Sequence, residues 1–467
     1  MNEKRDGFGS KIGAIAAAAG SAIGLGNIYR FPCLAGENGG GAFLLIYVLI
    51  VLCLGIPIMM AEFYIGRRGG KNPVGSIKEL SPKTHWNLIG YFGILAAFVV
   101  LAFYSTVSGW TLEYIYKAAT NFFADKDITT IEQGFVDFNN NPFRPFLWQF
   151  IFMGLTAFII FKGIKDGVEK YTKIMMPALF VILIILCVKS LTLDGAGEGL
   201  KFLFKPDFSK VNANMLLAAL GQAFFSLSVG MGALITYGSY ISKKDNLATT
   251  SLSVVVADTL VAVLAGIIIF PAAFTFGIQP EAGAGLAFNT LPMIFDKMAG
   301  GYFFCIIFFV LLAIAALTST ISLLEVVVAF LSEEHGIKRN TATWIGTLVA
   351  LFFGVICTLS LRQNSIFVFG DMTFFDFMDK FSANILLPIG ALFIVIFVAW
   401  KMGKESFYNE ITNQNTLKMG VKNFIFFIIK FVAPIVILAI FINHNLYQKI
   451  LSNFLIYLFS AISYITY

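Results

Sequence analysis

An apolar run from about Ile12 to Leu34 is long enough to cross a bilayer, yet it is broken in its middle by Gly20, Gly24 and Gly26, then by Asn27 and Arg30. Crossing a bilayer as a helix takes roughly 20 apolar residues. Each glycine in a helix interior costs about 1 kcal/mol relative to alanine. In lipid, a backbone group released by a break must find another partner. Such a break therefore belongs beside a cavity, where free carbonyls can hold a cation and free N–H groups an anion.

The ordinary reading of Gly20 and Gly24 is a small-xxx-small face that lets two membrane helices approach closely. A second copy of the pattern argues against it. Ser228-Val229-Gly230-Met231-Gly232 repeats Ala22-Ile23-Gly24-Leu25-Gly26: small, β-branched, Gly, large apolar, Gly. It too interrupts a long apolar run. Two Gly-interrupted spans in corresponding halves point to a binding site near the membrane midplane of a transporter.

The rest of the chain fits a polytopic membrane protein. Hydrophobic residues make up 58% and charged residues 13%, against about 25% charged in soluble domains. Mean hydropathy is +0.81. Eleven spans are expected, near residues 12–35, 42–65, 88–116, 145–161, 171–191, 215–240, 249–276, 303–330, 343–361, 377–400 and 424–442. The apolar tail 450–467 is a short twelfth or an interfacial helix. The stretch between spans three and four, with Asp125, Asp127, Glu132 and Asp137 and Asn-rich at 139–141, reads as a polar loop and residues 194–211 as an external loop. The loop after span seven, with Pro280, Gly283 and Gly285, has room for short helices.

Charge sets the orientation. Arg67, Arg68, Lys71, Lys162, Lys165, Lys243, Lys244, Lys338, Arg339 and Lys401 fall in loops that share one side with the N-terminus. The positive-inside rule makes that side cytoplasmic, in a plasma (inner) membrane. The net charge of +6 is accounted for by these loops and is no nucleic-acid signal. All five cysteines lie in apolar stretches, and His85, His335 and His444 form no zinc or nucleophile constellation. An enzyme is not expected.

Several motifs together resemble the neurotransmitter:sodium symporter family, in particular its prokaryotic, leucine-transporter-like amino-acid symporters. They are Gly24-Leu25-Gly26-Asn27 with Arg30-Phe31-Pro32, Glu37-Asn38-Gly39-Gly40-Gly41-Ala42-Phe43, Ser108-Gly109-Trp110-Thr111-Leu112, Gly221-Gln222-Ala223-Phe224-Phe225-Ser226-Leu227-Ser228 and Thr318-Ser319. The resemblance covers spans one to eleven. It implies an all-α fold of two five-helix inverted repeats in one transporter domain: residues 1–191, then 192–400, with 401–467 as a C-terminal addition. The inverted repeat is a known property of that family, not one read from these residues.

The resemblance also implies a site. Asn27, Ser226 and Asp258, with carbonyls of Ala22 and Ser226, would hold one sodium ion. Asn and Thr are common in the family where Asp258 and Ser226 stand here; all are oxygen ligands suited to a hard cation. An intramembrane Asp is costly and usually functional; the ordinary alternative is an interhelical hydrogen-bond cluster. Thr318 and Ser319, with carbonyls of Gly20, Ile23 and Ala315, would hold a second sodium. Their ordinary reading is back-bonding to their own helix. Tyr104 and the N–H groups of Leu25 and Gly26 would bind a substrate carboxylate. Gly24 stands where amine-transporting relatives carry Asp, which favours an amino acid.

Val100, Phe225, Ser228, Met231, Ser319 and Leu323 would form the side-chain pocket, with Ala22, Gly24 and Ser226 at its edge. Met231 replaces a bulkier Phe of leucine-selective relatives, which suggests a larger pocket and a bulky hydrophobic or aromatic substrate, tyrosine or tryptophan. Met231 as plain core packing is the competing reading. Arg30 and Asp379 match an outer gate, lidded by Tyr104 and Phe225. Arg5, Phe8, Tyr240 and Glu333 match a cytoplasmic gate, with Phe8 for the usual Trp and Glu333 for the usual Asp. Gly167 and Pro177 match a pair that lets span five unwind. Asp258 would supply the negative charge that chloride supplies in animal relatives, so no chloride requirement is expected. The competing function is an ion channel or a membrane receptor built on the same broken-helix cavity. The expected partners are the amino acid and membrane lipid, with no nucleic acid; oligomeric state is left open.

Overall fold

The computed structural model describes residues 7–277, 286–370, 372–417 and 419–442. Arg5, the stretch with Pro280, Gly283 and Gly285, and the apolar tail lie outside the described residues. Among those described, nine helices are long and apolar enough to cross a membrane. A tenth crossing is the pair Lys11–Ala22 and Gly26–Glu37, bent by 46°. We call these, in chain order, span one (the bent pair), span two (Gly41–Gly69), span three (His85–Ala119), span four (Arg144–Phe161) and span five (Ile164–Leu191). After them come span seven (Leu247–Thr275), span eight (Gly301–His335), span nine (Arg339–Ser360), span ten (Phe374–Met402) and span eleven (Lys422–Ala439). Between spans five and seven run two shorter helices, Ala213–Ser226 and Ala233–Gly238, that we treat together as span six.

Both breaks fall where the glycines are. In span one the α-helix stops at Ala22, Ile23 turns extended, and a wide π-turn over Gly26–Arg30 restarts the helix. In span six, Ser228, Gly230 and Gly232 take φ of +54°, +84° and +71°. Only glycine adopts this region without strain. A Cβ on Gly230 would also meet the Leu387 carbonyl oxygen at 2.3 Å. The N–H of Gly230 donates to Glu62 Oε1 of span two at 2.7 Å. A buried carboxylate thus replaces the helical bond that the break removes.

Spans one, three, six and eight carry mostly buried residues, whereas spans four, five and nine turn one apolar side outward, with Phe158, Ile174, Ile184, Leu348 and Phe352 exposed. In a membrane that side meets lipid, where no hydrophobic penalty applies.

Several stretches expected to be loops contain helices. Residues 128–140 form a helix that starts at Asp127, whose Oδ1 accepts from Thr130 N–H at 3.1 Å. The Thr129 hydroxyl, then the Thr130 side chain and N–H, hold the Asp127 carboxyl down to about 2. The Asp and Asn content suggested a loop, but Asp127 and Asn141 cap helices and Ile131, Phe135 and Phe138 share one face. The segment 194–211 contains a helix, Ala196–Phe204. The hydrophilic stretch after span ten contains Lys404–Ile411. A two-stranded hairpin pairs Val368–Phe369 with Met372–Thr373. Span five begins earlier than expected, because the basic turn is already helical from Ile164.

Candidate functional site

Spans one, two, six and seven bring polar side chains together beside the break in span one. Asn27 Nδ2 donates to Ser226 Oγ at 2.8 Å and to Asp258 Oδ1 at 2.7 Å. Ser226 Oγ donates to Asp258 at 2.8 Å, and Tyr47 donates to Asp258 Oδ2 at 3.1 Å. All four residues are buried, Asn27, Tyr47 and Asp258 completely. A carboxylate this deep is tolerable only when its oxygens are engaged, and here they are. Asn27 Oδ1 accepts from Gly24 N–H at 3.1 Å, which ties the cluster to the bend.

A second cluster joins span one to span eight. Thr318 Oγ1 donates to the Ala315 carbonyl at 3.0 Å and lies 3.3 Å from the Ile23 carbonyl. Ser319 Oγ lies 3.3 Å from the Ala315 carbonyl. Gly20 faces Thr318, where an added Cβ would sit 3.3 Å from the Thr318 Cβ. Back-bonding to the helix is therefore present, as the ordinary reading holds. The Ile23 contact shows that Thr318 also faces across to the extended turn.

Between the clusters lies a contracted cleft of about 20 Å³. Ala22, Gly24, Gly26, Val100, Tyr104, Phe225, Ser226, Ser228, Met231, Ser319 and Leu323 all line it. Leu25 does not; its N–H instead donates to the Tyr104 hydroxyl at 2.7 Å. An amino-acid side chain needs these walls to move apart. A buried serine chain also borders the cleft: Ser228 donates to the Ser21 carbonyl at 2.8 Å, and Ser21 to Ser322 Oγ at 2.9 Å. Sequence reasoning assigned no role to Ser21 or Ser322.

Above the cleft a wider cavity of about 600 Å³ opens, lined by Tyr29, Arg30, Phe103, Tyr104, Phe225, Asp376 and Asp379 among others. Arg30 lies 3.4 Å from Asp379 and stacks 4.7 Å over the Phe225 ring. The expected outer pair therefore meets above the expected aromatic lid.

At the opposite end aromatic and charged side chains meet. Phe8 packs edge-on against Tyr237 and Tyr240 at 5.7 and 5.9 Å. Tyr240 donates to Glu325 at 2.8 Å, and Glu325 pairs with Arg339 at 2.6 Å. Glu333 accepts from Asn72 N–H at 2.6 Å and from its amide at 3.1 Å. Glu325 and Arg339 were missed as members of this end. Glu325 was a visible signal, a carboxylate within an apolar span. Among the described residues no group of three or more His, Cys, Asp or Glu side chains is placed to hold a metal.

Known proteins resemble this chain in sequence and in fold. The model of the sodium:neurotransmitter symporter family matches residues 5–130 and 118–465. The uncharacterized sodium-dependent transporter YhdH of Bacillus subtilis is 40% identical, over 93% of this chain and 97% of its own. An uncharacterized sodium-dependent transporter of Haemophilus influenzae is 37% identical over 95% and 99%. The crystal structure of MhsT in complex with L-phenylalanine superposes with a TM-score of 0.88 at 40% identity, covering 94% of this chain and 99% of that one. The chain belongs to the sodium:neurotransmitter symporter family. It is a multi-pass membrane transporter and not an enzyme.

Proposed function

We propose that the protein imports a bulky hydrophobic or aromatic amino acid together with sodium, by alternating access. The observation that carries this reading is the meeting of Asn27, Ser226 and Asp258, from three spans, at the bend that also presents the Leu25 N–H to Tyr104. The sodium-dependent relatives and the phenylalanine complex of MhsT support it. Sodium is cargo here. One ion would take Asn27, Ser226, Asp258 and the Ala22 and Ser226 carbonyls. A turn of the Asn27 amide exchanges Nδ2 for Oδ1 and makes the set all oxygen. The other ion would take Thr318, Ser319 and the Gly20, Ile23 and Ala315 carbonyls.

The substrate carboxylate would replace the Leu25 N–H as partner of Tyr104, aided by the N–H groups at the bend. Arg30–Asp379 and Phe225 would close the outer side, and Tyr240, Glu333 and Arg5 the cytoplasmic side. Eleven spans in two inverted repeats, 1–191 and 192–400, followed by 401–467, would let one bundle rock against the other. The N-terminus would face the cytoplasm of a cell with this protein in its inner membrane. Two gates that would close alternately leave no continuous pore, which speaks against a channel.

Tyr104→Phe should weaken substrate binding about tenfold to a hundredfold, the worth of one charge-assisted hydrogen bond. Equilibrium binding of labelled substrate checks this, and wild-type affinity would place the carboxylate elsewhere. Met231 is 2% exposed and lines the cleft. Met231→Phe should fill the pocket and favour smaller aliphatic amino acids by about 1–3 kcal/mol. A competition series over the amino acids reads this; unchanged aromatic preference would remove Met231 from the pocket wall.

Asp258 also carries the chloride expectation. Two sodium ions and a zwitterion leave excess positive charge, and a carboxylate about 4 Å away offsets roughly 4 kcal/mol at an effective dielectric of 20. Uptake should be unchanged when gluconate replaces chloride. It should fall on acidification, because protonated Asp258 loses the charge that holds sodium. The variant Asp258→Asn with Ala262→Ser should acquire a chloride requirement. A chloride requirement in the wild type would contradict the assignment.

A further inference from the structure

Between span three, the helix Ile128–Asn140 and the start of span four lies another cavity, of about 500 Å³, sharing no lining residue with the substrate route. Two ionisable residues one helical turn apart form its floor. Glu113 is fully buried and Lys117 is 5% exposed. They stand 3.9 Å apart, too far for a direct hydrogen bond. Glu113 is engaged elsewhere: Oε2 accepts from the Trp148 indole at 2.6 Å, and Oε1 is 2.9 Å from Arg144 Nη2.

Lys117 keeps Glu113 as an ion-pair partner at 3.9 Å but has few hydrogen bonds. Among the described residues it donates one hydrogen bond, to the Gly134 carbonyl at 2.9 Å. The rings of Tyr114, Phe122 and Phe138 surround its ammonium at 5.0, 4.9 and 5.7 Å. An ammonium has three donors, and a buried charge is tolerated when paired and hydrogen-bonded. Aromatic faces supply only part of that. Two further cations reach the same cavity: Lys126, 3.3 Å over the Phe122 ring, and Arg144, 5.1 Å over Tyr116. The lining thus sets three cations against Glu113 and Asp137, and Asp137 already accepts from Gln133 at 2.8 Å. One positive charge is left over, beside the faces of Phe122 and Phe138.

We propose that this cavity binds a small monocarboxylate, its oxygens on Lys117 and Lys126 and its apolar part against Phe122 and Phe138. The site is separate from transport and does not depend on the proposed substrate. Benzoate is a suitable probe and benzamide its neutral counterpart. With the full chain in lipid nanodiscs at constant sodium, benzoate should give a saturable change in tryptophan emission, through Trp148, and raise the unfolding temperature; benzamide should do neither. Lys126→Gln, at the half-buried rim, should raise the benzoate midpoint about tenfold. Lys117→Met should abolish the response while sodium-dependent substrate binding persists, and Tyr104→Phe should leave the benzoate midpoint unchanged. No saturable response in the wild type would overturn the proposal. So would equal midpoints in wild type and Lys126→Gln, or a midpoint that moves in Tyr104→Phe instead.

Discussion

Asp258→Ala should lose sodium-driven uptake. The carboxylate is the sole formal charge among the side chains that meet at the bend, and it accepts from Asn27, Ser226 and Tyr47. In the proposed sodium site, removing it would delete an oxygen ligand and a charge worth about 4 kcal/mol at 4 Å, or about a thousandfold in sodium affinity. It also takes the acceptor from Ser226 Oγ, while Asn27 and Tyr47 keep Ser226 Oγ and Asn27 keeps the carbonyl of position 258, so the further cost in stability is partial. Asp258→Asn separates the two effects, since it keeps an oxygen and loses the charge. Its sodium activation curve should lie between those of the wild type and Asp258→Ala. The check is sodium activation of uptake, normalised to folded protein in the membrane. A wild-type curve in Asp258→Ala would remove the residue from the ion site.

Gly24→Ala should be nearly as damaging for a different reason. A Cβ there would lie 2.3 Å from Ser319 Oγ and 2.7 Å from the Tyr104 hydroxyl. Neither atom has an easy retreat, for Tyr104 accepts from Leu25 N–H and Ser319 belongs to the span-eight turn facing Ala315. Overpacking of this kind costs about 1–3 kcal/mol. Here it falls where the proposed substrate carboxylate would meet Tyr104, so uptake should drop by about tenfold to a hundredfold while the protein still folds. Uptake and thermal stability measured side by side test this. Wild-type uptake in Gly24→Ala would mean that the space around Gly24 is not used by substrate.

The breaks were legible because glycine is informative inside an apolar run. Gly24, Gly26, Gly230 and Gly232 mark the bends to within a residue or two, and the two φ-positive glycines of span six are backbone requirements. The polar residues flanking the cleft were picked out as a set by the family resemblance. On the residues alone Asn27 and Asp258 stood out as polar groups in apolar runs, costly in lipid, whereas Thr318 and Ser319 read as ordinary back-bonding hydroxyls. Contacts between distant spans were not legible. Nothing local in Glu62 says that it bonds the N–H of Gly230, 168 positions away. The same holds for Glu325, whose partner Arg339 was read only as a loop charge. Ser21 and Ser322 were invisible because a serine on a membrane helix is ordinarily small and self-satisfied. The helix at residues 128–140 was obscured by polar composition outside the membrane, where one apolar face suffices.

Coupling between sodium and an amino acid is tested most directly in proteoliposomes holding the purified full chain, with a labelled aromatic amino acid outside. An inward sodium gradient should drive transient accumulation above the external concentration. Accumulation should vanish when potassium replaces sodium or when the gradient is dissipated. Equal accumulation without sodium, or saturable sodium binding with no amino-acid uptake for any of the twenty amino acids, would contradict the account.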